Sequence, residues 1–164
     1  LRGARGNSGV ILSLLFRGLS KSAKGLEEMD GVQLAAAMSE GVTTAYGAVM
    51  KPAEGTVLTV SRLAAKRAAE VAADGVTDLE LVLEEALKEG YDALAQTTDM
   101  NPVLKKAGVV DAGGKGYLLI LEGMLAEMRG EPVPEITEDT PAQEKAVVSD
   151  DDWDILERIF SKKR

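Results

Sequence analysis

Five long stretches of this chain repeat their apolar residues at helical spacing, and glycine or proline closes each of them. That pattern predicts a bundle of helices and leaves little room for strands. The first predicted helix runs from about Ser8 to Lys24, with Ile11, Leu14, Leu15, Gly18 and Ser22 on one face and Gly25 as its stop. The second runs from about Asp30 to Val49 and buries Leu34, Ala37, Met38, Gly41, Val42 and Ala45; Pro52 limits its continuation. The third, from Thr56 to about Ala73, has the face Leu58, Arg62, Ala65, Ala69 and Ala72, small enough for a neighbour to approach closely. The fourth opens on the capping-box pattern Thr77-Asp78-Leu79-Glu80 and ends near Thr97. Asn101-Pro102 begins a short helical turn to about Ala107. The last helix ends near Arg129. It is apolar nearly all round at Tyr117 to Leu121, Met124, Leu125 and Met128, which predicts a place in the middle of the bundle.

Composition narrows the chemistry. There is no cysteine and no histidine, so thiolate metal sites, imidazole bases and histidine-liganded zinc are excluded. The formal net charge of −8 argues against nucleic acid as a partner. No apolar run approaches the roughly 20 residues that span a bilayer, and no signal peptide is visible. A cytoplasmic location is the expectation. After Gly130 the composition shifts to proline and acidic residues. The predicted organisation is a helical domain over 1–130, an acidic proline-rich linker over 131–148, and a short amphipathic helix over 149–164 carrying Trp153, Ile155, Leu156, Ile159 and Phe160.

Two glycine-rich stretches precede predicted helices: Gly3-Ala4-Arg5-Gly6-Asn7-Ser8-Gly9 and Asp111-Ala112-Gly113-Gly114-Lys115-Gly116. Such a turn bares backbone N–H groups at the positive end of a helix dipole, an arrangement suited to phosphate. Asn7 and Ser8 read as helix caps. In an up-and-down bundle successive helices reverse direction. If the Pro102–Ala107 turn is only part of a connection, both stretches and the loop Lys51-Pro52-Ala53-Glu54-Gly55-Thr56 meet at one rim. Three helix N-termini converging there make a polyanion site. Arg5, Lys51 and Lys115 are placed to supply positive potential, although any one of them alone reads equally as a solvated charge. Only Glu54 and Asp111 stand near as metal ligands, and no group presents itself as catalytic base or nucleophile.

With Gly108-Val109-Val110 before the second glycine stretch, these three motifs, in this order, resemble the nucleotide-binding domain of the dihydroxyacetone-kinase (DhaL-like) superfamily. The likeness is closest to the ATP-binding A subunit of bacterial fatty acid kinase, and it covers about Leu1 to Arg129. The resemblance implies an all-α antiparallel helical barrel with the nucleotide at one rim. It also implies ATP or ADP with magnesium, and a DegV-like partner whose bound fatty acid carboxylate receives the γ-phosphoryl group. Carried onto this chain, Ala4, Arg5, Gly6, Asn7, Ser8 and Gly9 cradle phosphates, Thr56 and Val57 contact the nucleotide, and Asp111, Ala112 and Gly113 line its ribose or adenine side. The family's magnesium aspartates lie in a segment N-terminal to Gly3, so the first helices and the metal ligands are expected upstream of Leu1. This chain alone is expected to be inactive, and a homodimer is left open. The competing readings are a DhaL-type dihydroxyacetone kinase subunit, a nucleotide-binding module without turnover, and a plain helical interaction domain.

Overall fold

The computed structural model describes residues 3–132, so the predicted 149–164 helix and nearly all of the predicted linker lie outside the described residues. The described residues are all-α, as predicted. Their helices are α1 (Gly6–Ala23), α2 (Gly31–Ala48), α3 (Val57–Ala73), α4 (Leu79–Met100), α5 (Pro102–Ala107) and α6 (Ala112–Met128).

Local chemistry sets most of the boundaries. Asp30 caps α2 by accepting from the Gln33 N–H at 2.8 Å, and the Gln33 side chain accepts from the Asp30 N–H at 3.0 Å. Asp78, rather than Thr77, caps α4, accepting from the Leu81 N–H at 2.9 Å. Asn101 caps α5 through the Val103 N–H at 3.0 Å, with Pro102 in the first turn. Two starts differ from the sequence reading. The first helix begins at Gly6, so Asn7 and Ser8 occupy its first turn instead of capping it. The last begins at Ala112, so Ala112 and Gly113 are helical rather than loop.

Cross-helix contacts fix the directions. A Cβ on Gly18 would lie 2.5 Å from the Glu40 carbonyl oxygen, and one on Gly41 would lie 2.5 Å from the Leu15 carbonyl oxygen. The backbones of α1 and α2 therefore touch along an antiparallel hairpin, and only glycine fits at the crossing. Arg67 reaches Glu85 at 3.0 Å across the α3–α4 hairpin. Gly90 of α4 packs under Leu118 of α6, and Leu94 under Gly114, which makes that pair antiparallel as well. Since α5 belongs to the connection, α1, α3 and α6 all start at one end.

The core is built from Leu34, Met38, Leu58, Val60, Val82, Leu83, Leu118 and Leu121, each essentially without exposure. The middle position belongs to α3, which packs against α1, α2, α4 and α6. Its buried face is Val57, Leu58, Val60, Ser61, Ala64, Ala65, Ala68 and Val71, whereas the expected face residue Ala69 is exposed. The expectation for the last helix does not hold: α6 lies at the edge, and Leu119 and Ile120 stay 51% and 39% exposed. Alanines on α3 are what let four helices close around one.

Candidate functional site

The start of α1, the Lys51–Thr56 loop and the start of α6 meet at one rim. Gly113 is the point of closest approach. A Cβ there would lie 3.3 Å from Asp111 Oδ2, 3.5 Å from Ser8 Oγ and 3.5 Å from Val57 Cβ. Beside it opens a cleft of about 470 Å³ lined by Asn7, Ser8, Val10, Ile11, Ala48, Val49, Lys51, Ala53, Thr56, Val57, Leu58 and Asp111. One wall is apolar, made by α1, α3 and the end of α2; the polar groups gather on the rim.

Of the residues singled out by sequence, Asn7, Ser8, Lys51, Thr56, Val57 and Asp111 line this cleft. Gly113 abuts them, and Ala4 lies against Gly9. The cleft's lining does not include Ala4, Arg5, Gly6, Gly9, Ala112 or Gly113. Sequence reasoning passed over Val10, Ile11, Ala48, Val49 and Leu58 as site residues. The signal for the two at the end of α2 was the same up-and-down parity that placed the loops.

The three helix starts are not equivalent. Thr56 caps α3, accepting from the Leu58 N–H at 3.3 Å while donating to the Ala53 carbonyl at 2.8 Å. Asp111 caps α6, accepting from the Gly114 N–H at 2.7 Å; its own N–H is held by Thr97 Oγ1 at 3.1 Å. No side chain caps α1, which Arg5 precedes in extended conformation. Gly6 has φ +69°, a left-handed value that glycine adopts freely, and nothing lies within 4 Å of where its Cβ would be. The first N–H groups of α1 therefore face the rim without a side-chain acceptor.

The loop before α3 is tied to the body by one connected set of hydrogen bonds. Glu54 Oε2 accepts from Thr59 Oγ1 at 2.8 Å and from the Arg62 guanidinium at 3.0 Å. Thr59 Oγ1 accepts from the Gly55 N–H at 2.9 Å, and Arg62 Nε donates to the Tyr46 hydroxyl at 3.1 Å. The hydrogen bond to Tyr46, and after it the one to Glu54, holds the Arg62 guanidinium above its ordinary basicity; partial burial works against both.

Of the charged residues that line the cleft, Lys51 is positive and Asp111 negative. Among the described residues, Arg5, Lys51 and Lys115 have no carboxylate within 4.0 Å, whereas seven other lysines and arginines do. The described residues do not fit a magnesium ion. They contain no group of three or more potential ligands, Glu54 is taken up by Thr59 and Arg62, and one oxygen of Asp111 holds the Gly114 N–H. A second groove of about 360 Å³ between α3 and α4 is lined chiefly by charges that pair with one another, among them Lys66, Arg67, Glu70, Glu85 and Lys88. No helix of the described residues is long and apolar enough to cross a membrane.

Comparison with known proteins agrees with this architecture. Residues 1–126 match the family described as the DAK2 domain, a DhaL-like domain. Protein YloV of Bacillus subtilis is 50% identical over 135 residues, covering 82% of this chain and 24% of that protein. An uncharacterised protein of Staphylococcus epidermidis is 50% identical over 135 residues, covering 81% and 24%, and one of Staphylococcus saprophyticus is 48% identical over 133 residues with the same coverage. The chain thus spans about a quarter of the length of these relatives. With a match over most of its length, this chain belongs to the DAK2-domain family.

Proposed function

We propose that this chain is the ATP-binding domain of a phosphotransferase, with the nucleotide in the cleft between α1, the Lys51–Thr56 loop and α6. One observation carries the reading: three helix starts converge on the cleft, and only the glycine-bared start of α1 lacks a side-chain cap. In this reading Ala4, Arg5, Gly6, Asn7, Ser8 and Gly9 hold the phosphates through backbone N–H groups, the helix dipole and the hydroxyl of Ser8, which lines the cleft. Thr56 and Val57 contact the nucleotide, and Asp111, Ala112 and Gly113 line the ribose or adenine side. The apolar wall of Val49, Val57 and Leu58 takes the uncharged part.

The favoured acceptor is a fatty acid carboxylate held by a DegV-like partner; a DhaL-type dihydroxyacetone kinase subunit is the alternative. The described residues contribute binding and part of the positive potential, and phosphoryl transfer also needs the metal ions that neutralise the phosphates. Magnesium, which neutralises charge on the phosphates when bound, would be held by carboxylates outside these residues. No described residue is assigned as the catalytic base.

The test is calorimetric titration of ATP into the 164-residue chain, with and without magnesium. Ser8 makes no side-chain hydrogen bond that shapes the fold, so Ser8→Ala should keep the melting temperature and weaken ATP by roughly tenfold. Absence of binding in both conditions, or binding indifferent to Ser8, would overturn the assignment.

A further inference from the structure

Glu54 is the carboxylate a phosphate-binding rim has least use for. It sits two residues before Thr56, in a loop whose Lys51, Ala53 and Thr56 line the cleft. Left free, it would repel a polyphosphate. Its Oε2 instead takes two donors from α3, Thr59 at 2.8 Å and Arg62 at 3.0 Å. The fully buried Thr59 hydroxyl passes the connection on to the Gly55 N–H, and Arg62 passes it to Tyr46 at the end of α2. On its other side Gly55 is backed by α4: a Cβ there would lie 2.9 Å from Met100 Cβ and 3.1 Å from the Thr97 carbonyl oxygen. Its φ of +77° adds that only glycine sits there without strain. The loop is therefore fastened to α2, α3 and α4 at once, and its fastening consumes the carboxylate.

We propose that Glu54 and Arg62 are positioning residues for nucleotide binding. Together with Thr59 they clamp the Lys51–Thr56 loop so that Lys51 and Thr56 face the cleft, and they neutralise the one loop carboxylate beside it. The inference rests on the nucleotide reading above. It adds residues that touch no ligand and act through the loop.

The experiment has two readouts on the full chain: ATP affinity by calorimetry, and amide hydrogen exchange at Gly55, which needs no nucleotide. Glu54→Ala removes the acceptor for both donors. It should speed Gly55 exchange and weaken ATP roughly tenfold, with a modest fall in melting temperature because the buried Thr59 hydroxyl loses its acceptor while the Glu54–Arg62 pair is about half exposed. Glu54→Gln keeps an oxygen that accepts from both donors and should stay within about threefold of wild type. Arg62→Lys keeps the charge but loses the planar fork that reaches Tyr46 and Glu54 together, so it should behave like Glu54→Ala. Unchanged Gly55 exchange in Glu54→Ala would overturn the clamp whatever the nucleotide does. Faster exchange with unchanged ATP affinity would overturn its role in binding. Glu54→Gln as weak as Glu54→Ala would show that charge matters and not the hold on the loop, which also overturns it. A wild-type chain that binds no ATP would instead remove the nucleotide reading, and this inference with it.

Discussion

The α1–α2 crossing should reject a single methyl group. In Gly41→Ala the new Cβ would lie 2.5 Å from the Leu15 carbonyl oxygen, 3.3 Å from its carbon and 3.5 Å from its Cα. All three are backbone atoms, so no rotamer change relieves the clash. Ordinary contact begins near 3.4 Å, and α1 would have to retreat by about 0.9 Å. A gap of that size forfeits roughly a quarter to a half of the dispersion energy across the part of the interface it opens. Overpacking of this kind costs about 1–3 kcal/mol, while exchanging helical Gly for Ala returns about 0.5–1 kcal/mol. The net expectation is a loss of up to about 2.5 kcal/mol, or up to about 10 °C in melting temperature for a domain of this size. Gly123 of α6 is the internal control, because nothing lies within 4 Å of its Cβ position. There the same exchange should raise the melting temperature by about 2–4 °C. Differential scanning calorimetry of the two variants beside wild type decides the matter. A Gly41→Ala protein that melts at or above wild type would refute the backbone-to-backbone crossing.

Other substitutions test other parts of the argument. Thr56→Ala removes the α3 cap and should cost about 1 kcal/mol, seen as a fall of about 3–5 °C in melting temperature with ATP weakened in parallel. Glu85 is held below the usual carboxylate range, first by the hydrogen bond from Lys88 and then by that from Arg67. A depressed folded-state value gives stability that is present above about pH 4.3, the unfolded value, and lost as pH falls through the folded one; melting curves of wild type and Glu85→Gln should therefore converge on acidification, and a constant gap would count against the pairing. Tyr91 and Tyr117 are both pushed up to about 12, Tyr91 by burial and then its hydrogen bond to Glu122, Tyr117 by burial. Phenolate absorbance should show two of the three tyrosines still protonated well above pH 10, and one shared transition near pH 10 would contradict their placement.

Helix order and direction were legible in the sequence because they rest on local chemistry and parity. The stops at Gly25 and Gly75, the helix starts near Asp30 and Thr56 and the short Pro102–Ala107 turn needed only neighbouring residues. Alternation of direction then put three helix starts at one rim. What failed was tertiary. Nothing local to Tyr117–Leu121 says that Leu119 and Ile120 face outward, since their exposure depends on which helices arrive beside them. Ala69 fits the spacing of a contact face, yet the real face of α3 is set by where α4 and α6 lie. Glu54 read as a candidate metal ligand because its partners, Thr59 and Arg62, become neighbours only once the loop folds back on α3. Asn7 and Ser8 have the residue type of caps, but the chain enters α1 through Gly6 at positive φ and the helix starts ahead of them.

That last displacement bears on the site more than any correct boundary does. A side-chain cap and a bound phosphate compete for the same N–H groups. Had Asn7 or Ser8 capped α1, all three helix starts at the rim would carry a side-chain acceptor on one of their first N–H groups. Starting the helix at Gly6 moves both polar side chains past the cap position and leaves the first N–H groups without a side-chain cap among the described residues. Thr56 and Asp111, by contrast, satisfy their own helices and present side chains to the cleft. Glu54 is bound internally, while Arg5, Lys51 and Lys115 have no anionic partner among the described residues. The residue types that a sequence reading would use to close all three helix ends thus close two. The open one is the end with the barest backbone, and on the proposed reading that is where the phosphates sit.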